Sequence, residues 1–367
     1  MSIVYFIAGL VLLVIGAEWL VRGASRLAAA LGVSPLVIGL TVVAFGTSAP
    51  ELAVSIKAAL AGQAGIAVGN VVGSNIFNVL FILGISALIV PLTVSKQLIR
   101  LDVPIMIALS FSVLFFALDG SFSRTEGIIW FTGLIIYIVF LFYKSHKDQL
   151  NTPEAEEADP EVAALLGETN TQAWPKNLAL ILVGLVLLVM GSRWLVDSAV
   201  IFAKYFGVNE VVIGLTIVAA GTSLPEVVTS VIAAIRGERD IAVGNVVGSN
   251  IFNIMGVLGL ASIIAPTGIP IEATTIRFDI PVMIAVAFAC LPIFFTGQIL
   301  NRLEGGIFFF YYLAYTTYLI LVATQHPALD FFSKLMLYGI LPLTVLGLLV
   351  MSIRQLGRAK LERNNPH

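Results

Sequence analysis

Apolar residues run nearly unbroken for the width of a bilayer, again and again along this chain. The clearest runs are 3–21, 128–142, 178–190, 280–295 and 335–352. About 20 such residues form a helix long enough to cross hydrocarbon. Polar and charged residues gather between the runs and divide the chain into eleven predicted helical spans. These lie at roughly 3–27, 34–60, 66–91, 98–118 and 124–143, then 178–202, 209–235, 241–266, 276–296 and 302–323, with a last one at 333–353. Of the 367 residues, 59% are hydrophobic and only 11% charged, too few for the surface of a soluble protein of this length. The fold class expected is therefore an all-α polytopic membrane protein. A net charge of −2 carries no message about nucleic acid, and no obligatory protein partner is evident; the surrounding partner is membrane lipid. The single cysteine, Cys290, lies in an apolar run, which excludes a disulfide within the chain. The N-terminus lacks a basic region ahead of its apolar run, so 3–21 is expected to stay as the first span.

Polar residues inside the spans alter this picture, because they occur twice. The stretch 44–78, AFGTSAPELAVSIKAALAGQAGIAVGNVVGSNIFN, returns at 219–253 as AAGTSLPEVVTSVIAAIRGERDIAVGNVVGSNIFN, with 23 of 35 positions identical at an offset of 175. The repeat extends outward: Trp19 matches Trp194, Asp102 and Pro104 match Asp279 and Pro281, and Glu126-Gly127 matches Glu304-Gly305. The expected organisation is a first membrane repeat at 1–144, an acidic linker at 145–176, a second repeat at 177–323, and an extra helix with a basic tail at 324–367. Five spans per repeat force the halves to insert with opposite orientation. Starting with the N-terminus outside, 14 Lys and Arg residues fall at cytoplasmic ends and 5 at outer ends, the direction set by the positive-inside rule. That assignment puts the linker and the tail in the cytoplasm. Doubled, inverted repeats with broken spans are the signature of a secondary transporter.

Charged side chains within a bilayer cost at least ~2.5 kcal/mol each and so mark function. Glu51 and Glu226 sit in mid-span, each directly after a proline, Pro50 and Pro225. A proline cannot donate to the helix ladder and frees carbonyls one turn back, near Gly46 and Gly221. Thr47 and Ser48 precede Glu51 by four and three residues, as Thr222 and Ser223 precede Glu226. They share a face with the carboxylate if the helix persists. The third and eighth spans add Ser74 with Asn78 and Ser249 with Asn253, beside Gly69-xxx-Gly73 and Gly244-xxx-Gly248, small faces suited to close helix contact. Every donor is an oxygen, with no His or Cys among them. Hard cations such as Ca²⁺ and Na⁺ want that shell, whereas zinc or copper would draw imidazole or thiolate. Two glutamates balance one Ca²⁺. Emptying the site would strand both carboxylates unless other cations or protons replaced the ion, a physical reason for exchange over leak.

At these residues the chain resembles the Ca²⁺/cation antiporter superfamily, especially its prokaryotic sodium/calcium exchanger branch. GTSAPE at 46–51 with GNVVGSNIFN at 69–78, and GTSLPE at 221–226 with GNVVGSNIFN at 244–253, look like that family's two α-repeats. The resemblance implies Glu51 and Glu226 as central ligands, and hydroxyls from Thr47, Ser48, Ser74, Thr222, Ser223 and Ser249. It also implies backbone carbonyls from Ala44 and Ala219, and flanking carboxamides from Asn78 and Asn253. It further implies no cofactor, Ca²⁺ and Na⁺ as transported ions, and a first and sixth span that slide against a rigid core. One departure concerns Asn78 and Asn253, both neutral where related exchangers often carry one aspartate; this bears on Na⁺ stoichiometry and proton involvement. The expected function is a Na⁺/Ca²⁺ antiporter of the cell (inner) membrane working by alternating access. A proton-coupled divalent cation antiporter and a passive cation channel are the alternatives. No DDxxD, HExxH or GxGD constellation points to an enzyme.

Two further sets of charges have open readings. Glu18 and Arg193 occupy equivalent positions with opposite signs and either pair between the first and sixth spans or stand independently near the interfaces. Asp102 and Asp279 lie beside Arg100 and Arg277 at span starts and read as ion pairs or caps.

Overall fold

Proline and glycine decide where the long apolar segments break, and the breaks recur in both halves. The computed structural model describes residues 2–63, 65–150, 174–208, 210–295 and 297–347. The first half contains α1 (Ser2–Leu31), α2 (Pro35–Thr47), α3 (Ala49–Leu60), α4 (Gly65–Ile89), α5 (Leu98–Ala117) and α6 (Arg124–Leu150). The second contains α7 (Trp174–Tyr205), α8 (210–221), α9 (Leu224–Ile235), α10 (Arg239–Ile264), α11 (Thr275–Phe294) and α12 (Arg302–Ala323), followed by α13 (Leu329–Gly347). The bulk of the predicted linker and the basic residues of the predicted tail lie outside the described residues.

Nine described helices are long and apolar enough to cross a membrane, or ten when α2 and α3, bent by 46° at their junction, form one span. The α8–α9 pair is the second half's counterpart, α9 being a 12-residue apolar helix. The expected spans 34–60 and 209–235 are thus interrupted. Ser48 (ψ 6°) and Ser223 (ψ 7°) leave the helical region, and Pro50 and Pro225 open the helices that follow. Wide π-helical turns, which often accompany functional sites, also recur in pairs. They fall at Gly39–Val43 and Gly214–Val218, at Asn78–Leu83 and Asn253–Leu258, and at Leu98–Asp102 and Thr275–Asp279.

The halves meet crosswise. Short strands β1 (Leu92–Thr93) and β2 (Ser121–Phe122) of the first half pair antiparallel with β4 (Ile299–Leu300) and β3 (Ile269–Pro270) of the second. By the sequence repeat β1 corresponds to β3 and β2 to β4, and one helix separates the strands of each half. Crosswise pairing therefore places corresponding strands at opposite ends of the helices, as halves of opposite orientation require. Glycines follow the same rule. A Cβ on Gly127 of α6 would stand 2.6 Å from the Gly259 carbonyl of α10, and one on Gly305 of α12 would stand 2.9 Å from the Gly84 carbonyl of α4. Helices α1 and α7 cross antiparallel with Gly9 against Gly191 and Gly16 against Gly184, each leaving under 3 Å for a Cβ. Helices α4 and α10 are the most enclosed, while α13 is peripheral, touching α12 through the Tyr311 hydroxyl, which donates to Thr344 Oγ1 at 2.7 Å.

The α1–α7 register corrects one expectation. It sets Glu18 near residue 182, eleven residues from Arg193, or roughly 16 Å along the helix. Glu18 instead accepts from Arg22 Nη2 at 2.8 Å and from Arg236 Nε and Nη2 at 2.9 and 2.6 Å. Nearby, the Ser25 hydroxyl donates to Glu238 Oε1 at 2.7 Å, so α1 is tied to the α9–α10 turn. The expected arginine partners of the two aspartates are likewise replaced. Tyr137 of α6 donates to Asp102 Oδ1 at 2.8 Å, and Tyr315 of α12 donates to Asp279 Oδ1 at 2.9 Å. A buried phenol satisfies a carboxylate without the desolvation cost of a buried guanidinium.

Candidate ion-binding site

The predicted residues converge where α2–α3 and α8–α9 break against α4 and α10. Glu51 and Glu226 are both fully buried. Each follows a break that redirects the preceding serine, so Ser48 does not face Glu51 as a continuous helix would arrange. Its hydroxyl crosses to the other repeat and donates to Glu226 Oε1 at 3.0 Å, while the Ser223 hydroxyl donates to Glu51 Oε1 at 2.7 Å. Ser74 Oγ lies 3.2 Å from Ser223 Oγ. Each glutamate is thus held at one oxygen by the repeat to which it does not belong.

Asparagines that the sequence reading passed over anchor the broken ends. Asn70 Nδ2 donates to Ser55 Oγ at 2.9 Å and to the Glu51 carbonyl at 3.1 Å. Asn245 Nδ2 does the same with Ser230 Oγ at 2.9 Å and the Glu226 carbonyl at 3.4 Å. Asn245 Oδ1 also accepts from Thr47 Oγ1 at 3.1 Å. Deeper in, Asn75 and Asn250 bridge α4 and α10: Asn78 Nδ2 donates to Asn250 Oδ1 at 3.0 Å, and Asn253 Nδ2 to Asn75 Oδ1 at 3.1 Å. The available signal was that each GNVVGSNIFN copy carries three asparagines, at 70, 75 and 78 and at 245, 250 and 253.

Nine buried side-chain polar atoms among the described residues make no well-formed hydrogen bond. Six belong to the predicted set: Glu51 Oε2, Glu226 Oε2, Asn78 Oδ1, Asn253 Oδ1, Thr222 Oγ1 and Ser249 Oγ. A buried polar atom left unpaired costs about 1–3 kcal/mol. All six are oxygens, the donor a hard cation selects. No group of three His, Cys, Asp or Glu side chains that could hold a metal occurs among the described residues, so any ion here relies on two carboxylates supplemented by neutral oxygens. The carbonyls are less free than expected. Ala44 O accepts from Ser48 N at 3.0 Å and from Thr47 Oγ1 at 3.4 Å, and the Gly221 carbonyl accepts from Ser192 Oγ of α7 at 2.6 Å.

The two halves differ at the approach to this cluster. Ala44 is buried, whereas Ala219 is exposed. Helix α2 closes over the glycine face of α10: a Cβ on Gly248 would meet the Leu40 carbonyl at 2.6 Å, and one on Gly244 the Leu36 carbonyl at 3.1 Å. Their counterparts Gly69 and Gly73 on α4 have nothing within 4 Å, and neither has Gly214 on α8. The close contact expected of both glycine pairs exists on one side. On the other, a Cβ added at Gly69, Gly73 or Gly214 would stand in open space.

Comparison with known proteins supplies an independent line. Residues 1–143 and 176–321 match the family described as sodium/calcium exchanger protein. The sodium/calcium exchanger MaX1 of Methanosarcina acetivorans is 35% identical over 345 residues, covering 86% of this chain and 97% of the relative. Inner membrane protein YrbG of Escherichia coli is 38% identical over 294 residues, covering 78% and 86%. Among solved structures, the sodium-calcium exchanger NCX_Mj soaked with 10 mM Na⁺ and zero Ca²⁺ superposes with a TM-score of 0.72 at 31% identity, covering 88% of this chain and 98% of that one.

Proposed function

The chain belongs to the sodium/calcium exchanger family of membrane antiporters, and from that premise we propose that it exchanges Na⁺ for Ca²⁺ at the oxygen cluster between its two repeats. The observation that carries the proposal is the set of six unpaired buried oxygens, two of them carboxylate, contributed by both repeats. Ca²⁺ takes about 6–8 oxygens, and two glutamates neutralise its charge. Several Na⁺ ions can replace it without leaving either carboxylate bare. Asn78 and Asn253 are neutral, so Glu51 and Glu226 carry the counter-ion charge, and the match to the sodium/calcium exchanger family favours Na⁺ over H⁺ in that role.

The one-sided packing of the glycine faces supports alternating access. With the N-terminus outside, the open face at Gly69 and Gly73 lies on the outer side and the α2–α10 contact on the cytoplasmic side. Exchanging the roles of the halves would close α8 onto Gly73 and lift Leu40 from Gly248. Membership of this family, the positive-inside pattern and the likeness to an inner membrane protein support a multi-pass place in the cell membrane, with linker and tail cytoplasmic.

The test is ⁴⁵Ca²⁺ uptake into proteoliposomes loaded with Na⁺ and diluted into Na⁺-free buffer. Uptake against a Ca²⁺ gradient that requires internal Na⁺ is expected. Uptake driven by a pH gradient alone, or downhill flux independent of any counter-ion, would overturn the reading in favour of a proton-coupled antiporter or a channel.

A further inference from the structure

Asn78 and Asn253 can act as ligands to a cation only if their carboxamides turn oxygen, not nitrogen, toward it. Nothing in an asparagine's shape fixes that choice, since the two ends of the amide are nearly the same size. Here the surrounding groups fix it, starting from the backbone. The carbonyls of Asn75 and Asn250 can only accept hydrogen bonds. Asn250 Nδ2 lies 3.4 Å from Asn75 O, and Asn75 Nδ2 lies 3.2 Å from Asn250 O. Two thioethers, also acceptors only, reinforce the choice: Met106 Sδ is 3.4 Å from Asn250 Nδ2, and Met283 Sδ is 3.7 Å from Asn75 Nδ2. With their nitrogens committed, Asn250 and Asn75 present Oδ1 to Asn78 and Asn253, which must answer with Nδ2, at 3.0 and 3.1 Å. The only atoms this chain of donations leaves unpaired are Asn78 Oδ1 and Asn253 Oδ1.

We infer that Asn75 and Asn250, braced by Met283 and Met106, are positioning residues that lock Asn253 and Asn78 as oxygen donors to the transported cation. Removing the lock lets the outer amide rotate and place an N–H dipole against the ion. This proposal rests on the cation site described above and adds that its specificity depends on residues that do not touch the ion. It also accounts for two neutral asparagines serving a divalent cation, since an oriented carboxamide supplies a partial negative charge without a proton to exchange.

The experiment compares equilibrium ⁴⁵Ca²⁺ binding by purified, monodisperse protein in Asn250→Ala, Asn78→Asp and the double variant. A carboxylate has oxygen at both ends and cannot be turned the wrong way. Asn250→Ala should therefore weaken Ca²⁺ binding by about tenfold, the scale of one lost charge–dipole contact, and should cause no such loss when residue 78 is aspartate, which has no hydrogen to give Asn250 Oδ1. Equal losses in both backgrounds would mean general damage and overturn the inference, as would an unchanged affinity in Asn250→Ala. Asn75→Ala with Asn253→Asp is the symmetry-related test and decides the matter if Asn250→Ala does not fold. Absence of Ca²⁺ binding by the unaltered protein would instead count against the proposed function, so the two failures are distinguishable.

Discussion

Gly248 and Gly73 occupy the same position in the two repeats, yet a methyl group added to each meets opposite surroundings. On Gly248 it would stand 2.6 Å from the Leu40 carbonyl, 2.7 Å from Leu40 Cα and 2.9 Å from Ala44 Cβ. Two of these are backbone atoms that no rotamer change can move aside. On Gly73 it would meet nothing within 4 Å. Glycine-to-alanine in a helix interior gains about 0.5–1 kcal/mol from reduced chain entropy, and that gain is common to both sites. Their difference isolates the steric term, about 1–3 kcal/mol for overpacking. Gly248→Ala should therefore lower the thermal midpoint of the purified protein, measured at one scan rate, while Gly73→Ala leaves it unchanged or raised. Transport should follow a different order. If α8 must close on α4 as α2 now closes on α10, Gly73→Ala obstructs that closure and slows Na⁺-driven Ca²⁺ uptake without loss of stability. Equal thermal effects at the two sites would refute the packing argument, and a wild-type exchange rate in Gly73→Ala would refute closure in mirror image.

Glu51→Gln and Glu226→Gln should each abolish Ca²⁺ uptake, because either leaves the ion with one uncompensated charge; normal exchange by either purified variant would sink the site. Tyr137→Phe strips fully buried Asp102 of its 2.8 Å donor and should cost about 1–3 kcal/mol of stability. Tyr315→Phe should cost less because Asp279 is only partly buried; the two thermal midpoints check the order. Glu18→Gln removes an ion pair whose Arg236 side chain is 57% exposed, so it should change stability by no more than about 1 kcal/mol. A larger drop would mean that the tie between α1 and the α9–α10 turn does more than a surface pair.

Much of this was legible in the sequence because it depends on what each segment is. Apolar length predicts the spans, and the proline after each GTS triplet predicts a break beside a buried glutamate. The absence of imidazole and thiolate predicts an oxygen site. What remained hidden depends on where one segment lies relative to another. A repeat says that Ser48 corresponds to Ser223, but not that each serves the other repeat's glutamate. Glu18 and Arg193 correspond in the repeat, and the antiparallel α1–α7 crossing sets them eleven residues apart. The asparagine quartet was hidden for a related reason: Asn75 and Asn250 are seen to matter only once α4 and α10 face each other. The openness of Gly73 beside the closure of Gly248 has no trace in two identical GNVVGSNIFN copies.

Crosswise pairing of strands, glycines, serines and glutamates has the form of a twofold dimer interface, in which each surface contacts the corresponding surface on its mate. Each repeat gives one serine to the other's glutamate, so the exchange is symmetric in its chemistry. Fusion permits divergence. Ser192 binds the Gly221 carbonyl where the first half has Ala17, and Glu18 binds Arg236 where the second half has Arg193 and the first has Ala61. Identical subunits cannot differ at equivalent positions in this way, and a joined chain can, so the two ends of the helix bundle need not be energetically equivalent.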